Sequence, residues 1–357
     1  MQTMTDLEKL CSRVTEAADC AVITDDVNRR YFTAMKSSAG TLVVFLEKAY
    51  FIIDFRYIEK AKKTVTACEV ILQDKLYEQI NSLIEKHGAK TVSVNADTCT
   101  LSELIAYQQK LNAEVIADTK LAEIIREIRT VKSQEQIDKI IKAQRIAEKG
   151  FAHMLDFIKV GRTEKEIQLE LDYYMLKNGA EALSFDTIAL SGSNTSLPHG
   201  VPSDKKVESG EFVLMDFGAT YDGWHSDMTR TVCVGKPSDK MKSVYETVLN
   251  AQLSALDAVK AGMSGKELDK IARDIITDAG YGDNFGHSLG HGVGVEIHES
   301  PYASPSREDI LPENSIVTVE PGIYLEGKFG VRIEDFVVVT ENGCINMTKA
   351  PKELICL

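Results

Sequence analysis

The eight residues Val160-Gly161-Arg162-Thr163-Glu164-Lys165-Glu166-Ile167 return 101 residues later as Ala261-Gly262-Met263-Ser264-Gly265-Lys266-Glu267-Leu268. In both copies a glycine stop precedes a Thr or Ser that is followed three residues on by Glu, the capping-box signature of a helix start. Gly179 and Gly280 close the two predicted helices in step. Leu197-Pro198-His199-Gly200-Val201 is then echoed by Leu289-Gly290-His291-Gly292-Val293. Asp216-Phe217-Gly218 is echoed by Glu320-Pro321-Gly322, and Asp227 by Glu334. Helix, histidine, acid, acid occurs twice in one order. One echo arises readily by chance, but four in register require two related halves. The pattern predicts two α/β halves facing each other across a pseudo-twofold, with a site drawn from both.

Upstream of the repeat the chain reads differently. Thr41 to Leu46 and Tyr50 to Asp54 are β-rich runs separated by Glu47-Lys48, which predicts a hairpin. Helical spacing over 76–87 and 101–111 alternates with strand character over 91–94, the pattern of an α/β layer domain. A capping box at Ser133 to Gln136 then opens a run with apolar residues at 137, 140, 141, 147, 151, 154, 155 and 158, a helical period. The expected division is therefore 1–128 and 129–357, an α/β (α+β) chain of two domains.

The acids of the repeat lie on predicted hairpins. Asp222-Gly223 is a turn signal between two apolar runs, and folding there sets Asp216 nearly opposite Asp227. Glu320 and Glu334 are equidistant from Gly327 and are expected to oppose each other as well. A lone acid on an apolar strand is usually a solvated outer-face residue. Two acids opposed on one face repel, however, and here that happens twice among residues such as Val213, Met215, Val317 and Val319. Buried like charges cannot all ionise without a compensating cation. Oxygen ligands with one imidazole suit Mn²⁺, Co²⁺, Zn²⁺ or Fe²⁺ without choosing among them.

Of seven histidines, His87 and His153 fall on predicted helices, where packing or surface roles are expected, and His225 falls in a turn. His199, His291 and His298 sit in the glycine-softened repeat segments. Any one alone reads as a hydrogen-bonded loop histidine, but the repeat places His199 and His291 at equivalent positions. The favoured division is one metal-bound imidazole, His291, and two free ones, His199 and His298, donating to a carbonyl or developing oxyanion.

Composition narrows the setting. A net charge of −13 with no basic stripe argues against nucleic-acid binding. Seven cysteines without CxxC spacing suit a reducing compartment and offer no disulfide framework. The start MQTMTDLEKL has no signal-peptide pattern and no stretch approaches 18 uncharged apolar residues, so a cytoplasmic protein without a membrane span is expected.

The runs MDFGATYDGWHSDMTRT, GHSLGHGVGVEIHE, VTVEPGIY and GVRIEDFVVV, in this order, resemble the metallopeptidase family of methionine aminopeptidase, aminopeptidase P and prolidase, whose fold is called pita-bread. The resemblance covers roughly residues 130 to 350. It implies five ligands to two metal ions, manganese first with cobalt or zinc as alternatives, at Asp216, Asp227, His291, Glu320 and Glu334. It also implies substrate contacts at His199 and His298. On mechanistic grounds Glu320 is the expected proton shuttle, Arg332, two residues before Glu334, is expected to orient that carboxylate, and Tyr324 is a further candidate for an orienting or substrate-binding role. Asn28-Arg29-Arg30-Tyr31-Phe32-Thr33 and Asp54-Phe55-Arg56-Tyr57 resemble the creatinase/prolidase-type N-terminal domain, which points to the Xaa-Pro branch. Ala34-Met35 stands where the family usually has Gly-Phe, and Trp224 where tyrosine is common. The resemblance implies an Xaa-Pro aminopeptidase or Xaa-Pro dipeptidase acting on proline-containing peptides as a homodimer. A methionine aminopeptidase-like enzyme and a non-catalytic binding protein are the rivals. A dipeptidase needs a cation for the free carboxylate, for which Arg307 or Arg29 is the candidate.

Overall fold

The computed structural model describes residues 4–357. The chain divides into two compact units, Met1–Arg129 and Thr130–Leu357.

The first unit is built on a six-stranded sheet in the order Glu69–Leu72, Ala49–Ile53, Thr41–Phe45, Cys20–Ile23, Thr91–Val94, Glu114–Ile116. The expected hairpin forms: Thr41–Phe45 runs antiparallel to Ala49–Ile53, and Phe45 N donates to Lys48 O at 2.8 Å. The outer strands join in parallel, as strand–helix–strand alternation requires. Side chains alternate faces along a strand, and here both faces are covered. Leu42, Val44, Phe51 and Ile53 pack with Leu10, Leu121 and Ile124. Val43, Phe45, Tyr50 and Ile52 pack with Ile80, Leu83 and Ile84 on the other side. Two-sided burial explains why these strands are almost unbroken apolar runs.

In the second unit each half has its own core. Helices Gln134–Phe157 and Glu164–Lys177 bury Ala147, Phe151, Leu171 and Met175 against Val213, Met215 and Val232. Helices Asp239–Ala258 and Gly265–Asp278 bury Val244, Val248, Leu268 and Ala272 against Val317, Val319 and Val337. Both capping boxes are made, Thr163 with Glu166 and Ser264 with Glu267. Gly179 and Gly280 end the repeat helices with φ of 105° and 84°, which side-chain-bearing residues rarely adopt. The two-halved α/β architecture expected from the repeat is the one observed.

The hairpins need one correction. In the second half the ladders on both sides of the acids run Val319 to Asp335 and Gly322 to Arg332, the register that sets Glu320 opposite Glu334. In the first half Asp216 pairs with Thr229, not Asp227. The hairpin closes with Tyr221 opposite Trp224, so its centre lies between Asp222 and Gly223. That displaces Asp227 by two residues from Asp216's partner and leaves it a diagonal neighbour on the same face.

Candidate metal centre

Asp216 is the penultimate residue of the strand Glu211–Phe217, Asp227 precedes Met228–Val234, Glu320 follows Ile316–Val319, and Glu334 lies between Phe329–Arg332 and Asp335–Thr340. Strand ends bring all four carboxylates to one cavity of ≈ 490 Å³, which His199, His287, His291 and His298 also line. Every residue expected at the site, Arg332 included, faces this cavity, except Tyr324, which stands behind Arg332.

His291 is oriented from both sides. Thr318 Oγ1 accepts its backbone N–H at 3.0 Å, and Gly292 O lies 3.1 Å from Nδ1. A carbonyl only accepts, so Nδ1 carries the proton and Nε2 is left facing Glu320 Oε1 at 3.3 Å and Asp227 Oδ2 at 3.6 Å. Close approach here depends on Gly290: a Cβ there would lie 1.9 Å from Thr318 O and 2.7 Å from Thr318 Oγ1. Gly290→Ala is expected to cost about 1–3 kcal/mol through overpacking and to lower metal stoichiometry. The urea midpoint and elemental analysis check this, and an alanine variant with full stability and full metal would refute it.

The electrostatics show what these residues need. Burial, with Asp216 as the next cause, pushes the Asp227 carboxyl well above the ordinary range. Burial and then Asp227 do the same to Glu334, and burial raises Asp216 despite Arg332 beside it. Burial alone would raise Glu320 too, but its hydrogen bond with His291 holds it down at about 2. Against its own desolvation, His291 is lifted by that same bond to about 9. Four acids in one buried pocket thus resist ionising together. Among the described residues Asp216 Oδ1 and Glu334 Oε1 are buried without a hydrogen-bond partner. Ligand atoms of Asp227, His291 and Glu334 lie within 4.8 Å of one another. Unsatisfied acceptors beside an imidazole that can give up its Nε2 proton form a donor set that fits a divalent cation.

Arg332 is the principal organiser of the acids. Its Nη2 donates to Asp216 Oδ2 at 2.5 Å and its Nε to Thr229 Oγ1 at 3.0 Å. Thr229 in turn donates to Glu334 Oε2 at 2.7 Å. The orienting role expected of Arg332 toward Glu334 is therefore exerted only through Thr229; its direct partner is Asp216, 116 residues away in the chain. Nη1 donates to the Tyr324 hydroxyl at 2.7 Å, and that hydroxyl lies 2.9 Å from His287 Nε2. His287 Nδ1 faces Ser288 O at 2.8 Å, so the chain of donors runs Arg332, Tyr324, His287.

His287 is the residue that sequence reasoning missed. Its place in the first copy of the repeat is held by Thr195, so the echo that marked His291 passes over it. Its position four residues before His291 was the available signal. His225 does not line the cavity; its N–H donates to Gly294 O at 2.9 Å. His199 and His298 are both exposed, and the His298 ring meets His291 edge-on with centroids 4.3 Å apart. Arg307 lies over the ring of Tyr302, a cavity residue, with its centre 4.1 Å from the centroid, and it pairs with Asp309.

Comparison with known proteins agrees with this geometry. Residues 138–341 match the metallopeptidase family M24, and residues 7–131 match the creatinase/prolidase N-terminal domain. The Xaa-Pro dipeptidase of Pyrococcus furiosus is 40% identical over 352 residues, 98% of this chain and 99% of that protein. The solved structure of an Xaa-Pro dipeptidase from Bacillus anthracis has a TM-score of 0.95 at 42% identity and covers 99% of each chain. An X-Pro aminopeptidase from Thermotoga maritima has a TM-score of 0.89 at 38% identity, covering 95% of this chain and 98% of that one. The chain therefore belongs to metallopeptidase family M24 and carries that family's creatinase/prolidase type of N-terminal domain.

Proposed function

We propose that this protein hydrolyses the peptide bond between an N-terminal residue and a following proline, with two divalent ions held by Asp216, Asp227, His291, Glu320 and Glu334. Manganese is the first candidate, with cobalt or zinc as alternatives. The observation that carries the reading is the pair of buried, unpartnered acceptors, Asp216 Oδ1 and Glu334 Oε1, in the cavity that also holds His199 and His298. The names of the relatives supply the proline. Residues 129–357 are the catalytic domain in this reading, and 1–128 the accessory one. A cytoplasmic homodimer belongs to the same reading, the first supported by seven unpaired cysteines and the second by the family resemblance.

When bound, such ions polarise a carbonyl and acidify water. The chain's own residues do the rest. Glu320, accepting from Thr318 Oγ1 at 3.0 Å, takes a proton from water and returns it to the leaving nitrogen. His298, whose pKa is lowered by partial desolvation and by the neighbouring His291, offers an N–H to the scissile carbonyl oxygen. His199 offers a second donor from its loop. Phe185, Ile188 and Ile297 line the apolar part of the cavity and suit a proline ring.

Turnover of Ala-Pro, Ala-Pro-Ala and Met-Ala-Ser with added Mn²⁺ tests the proposal. Hydrolysis of either proline peptide at least tenfold above Met-Ala-Ser is expected, and the ratio between the two separates dipeptidase from aminopeptidase action. Release of methionine with both proline peptides spared would overturn it.

A further inference from the structure

The carboxylate of Glu164 opens the first repeat helix, Glu164–Lys177, yet it is fully buried. A first-turn glutamate usually stays in water, where it also complements the helix dipole. Burying one is tolerable only when donors satisfy both oxygens. Here Oε1 accepts from Ser191 N at 2.7 Å, Ser191 Oγ at 3.1 Å and Asn194 Nδ2 at 3.0 Å. Oε2 accepts from Ser203 N at 3.0 Å, Ser203 Oγ at 2.7 Å and Asn194 Nδ2 at 3.2 Å. Lys205 Nζ is directed instead to Ser191 Oγ and Glu211.

These donors come from the two ends of one loop. Ser191 closes the strand Ile188–Ser191, a 3₁₀ turn follows over Gly192–Ser196, and Ser203 ends the excursion. His199 is carried between them. Its ring is exposed and has no hydrogen-bond partner among the described residues, so only its backbone holds it in place. The loop is also tied by Lys165 N to Ser203 O at 3.0 Å, by Arg332 Nη1 to Pro198 O at 3.3 Å and by Gly330 N to Thr195 Oγ1 at 2.8 Å. In the second repeat Gly265 occupies the place of Glu164, and a Cβ there would lie 1.9 Å from Tyr302 O. That helix start touches its neighbour backbone to backbone, so the carboxylate staple belongs to the first half alone.

We infer that Glu164 is a positioning residue: it closes the 191–203 loop and thereby sets the place from which His199 meets the substrate. The inference rests on the assignment of His199 as a carbonyl donor made above. The test is a double-mutant cycle on the Mn²⁺-loaded full chain with Ala-Pro-Ala as substrate, using Glu164→Gln, His199→Ala and the pair. His199→Ala is expected to lower kcat about 10²-fold. Glu164→Gln should lower kcat about tenfold, with KM and metal stoichiometry near parental values. The pair should be no worse than His199→Ala within a factor of about two, because a displaced loop matters little once the imidazole is gone. Should Glu164→Gln fail to fold, Asn194→Ala, which removes two of the six bonds, enters the cycle in its place. Losses that multiply in the pair, or a parental kcat for Glu164→Gln, would overturn the positioning role while leaving His199 in the mechanism. Parental activity of His199→Ala would overturn the His199 assignment and the inference with it.

Discussion

Removal of divalent ions by chelator abolishes Xaa-Pro hydrolysis and destabilises the protein more at pH 8 than at pH 5; that is the expected result of the largest effect. The reason lies in the carboxylates themselves. The fold raises the Asp227 and Glu334 carboxyls well above their ordinary range, mainly by burial. Without cations the folded state binds more protons than the unfolded one once pH passes about 4, and stability falls as pH rises toward the raised values. His291, raised to about 9, works in the same direction: its contribution is complete below about 6.5 and is lost as pH climbs through 9. Glu320, lowered to about 2, contributes fully above about 4.3 and so is constant across the comparison. Cations replace those protons and remove the penalty, so their affinity grows with pH. An ion supplied at a hundred to a thousand times its Kd adds roughly 3–4 kcal/mol. Thermal midpoints with chelator and with re-added Mn²⁺, at pH 5 and pH 8, measure the difference. Equal midpoints with and without metal at pH 8, or undiminished turnover after chelation, would sink the two-metal reading.

Asp335→Ala is expected to cost roughly 3–5 kcal/mol. Asp335 and Arg230 are 0% and 1% exposed. Burial alone would raise the Asp335 carboxyl, but Arg230 and Lys352 hold it below the ordinary range. Arg230 donates to Asp335 Oδ1 at 2.7 Å and also to the carbonyls of Thr229, Glu334, Ala350 and Pro351. Lys352 and Asn346 complete the carboxylate's partners. Removing it leaves a guanidinium buried without its counter-charge, and that uncompensated charge dominates the loss. The exposed pair Lys63 and Glu59 is the control, because solvent screens it and truncation costs about 0–1 kcal/mol. A urea midpoint shift for Asp335→Ala no larger than that for Lys63→Ala would contradict the argument, provided the slope of unfolding is unchanged.

The parts of the molecule legible in its sequence are those set by local rules. The helix starts at Thr163 and Ser264 were readable because a cap and its partner glutamate lie three residues apart. The hairpin over 41–53 was readable from alternating β-rich runs around a short polar break. The repeat exposed the histidine and acids of each half because both copies keep the same order. Even the Glu320–Glu334 register came from simple counting about Gly327. For Asp216 and Asp227 the turn at Asp222-Gly223 was readable, but counting about it sets Asp216 opposite Thr229 and leaves Asp227 two residues short, a diagonal neighbour.

Contacts between distant segments were not legible. Nothing in the spacing of Arg332 and Asp216, or of Glu164 and Ser203, indicates that they touch. His287 gave no echo, and its bond to Tyr324 exists only once a loop and a separate strand have docked. Residue types and helix and strand periods are local properties, so the sequence alone determined the two-halved fold and nominated the acids and histidines. Which acceptors are left unpartnered, which imidazole nitrogen faces the carboxylates and which carboxylate holds the His199 loop depend on packing across more than one element. Those were decided by the tertiary structure, because burial changes the energy of a charge far more than any neighbour in sequence does.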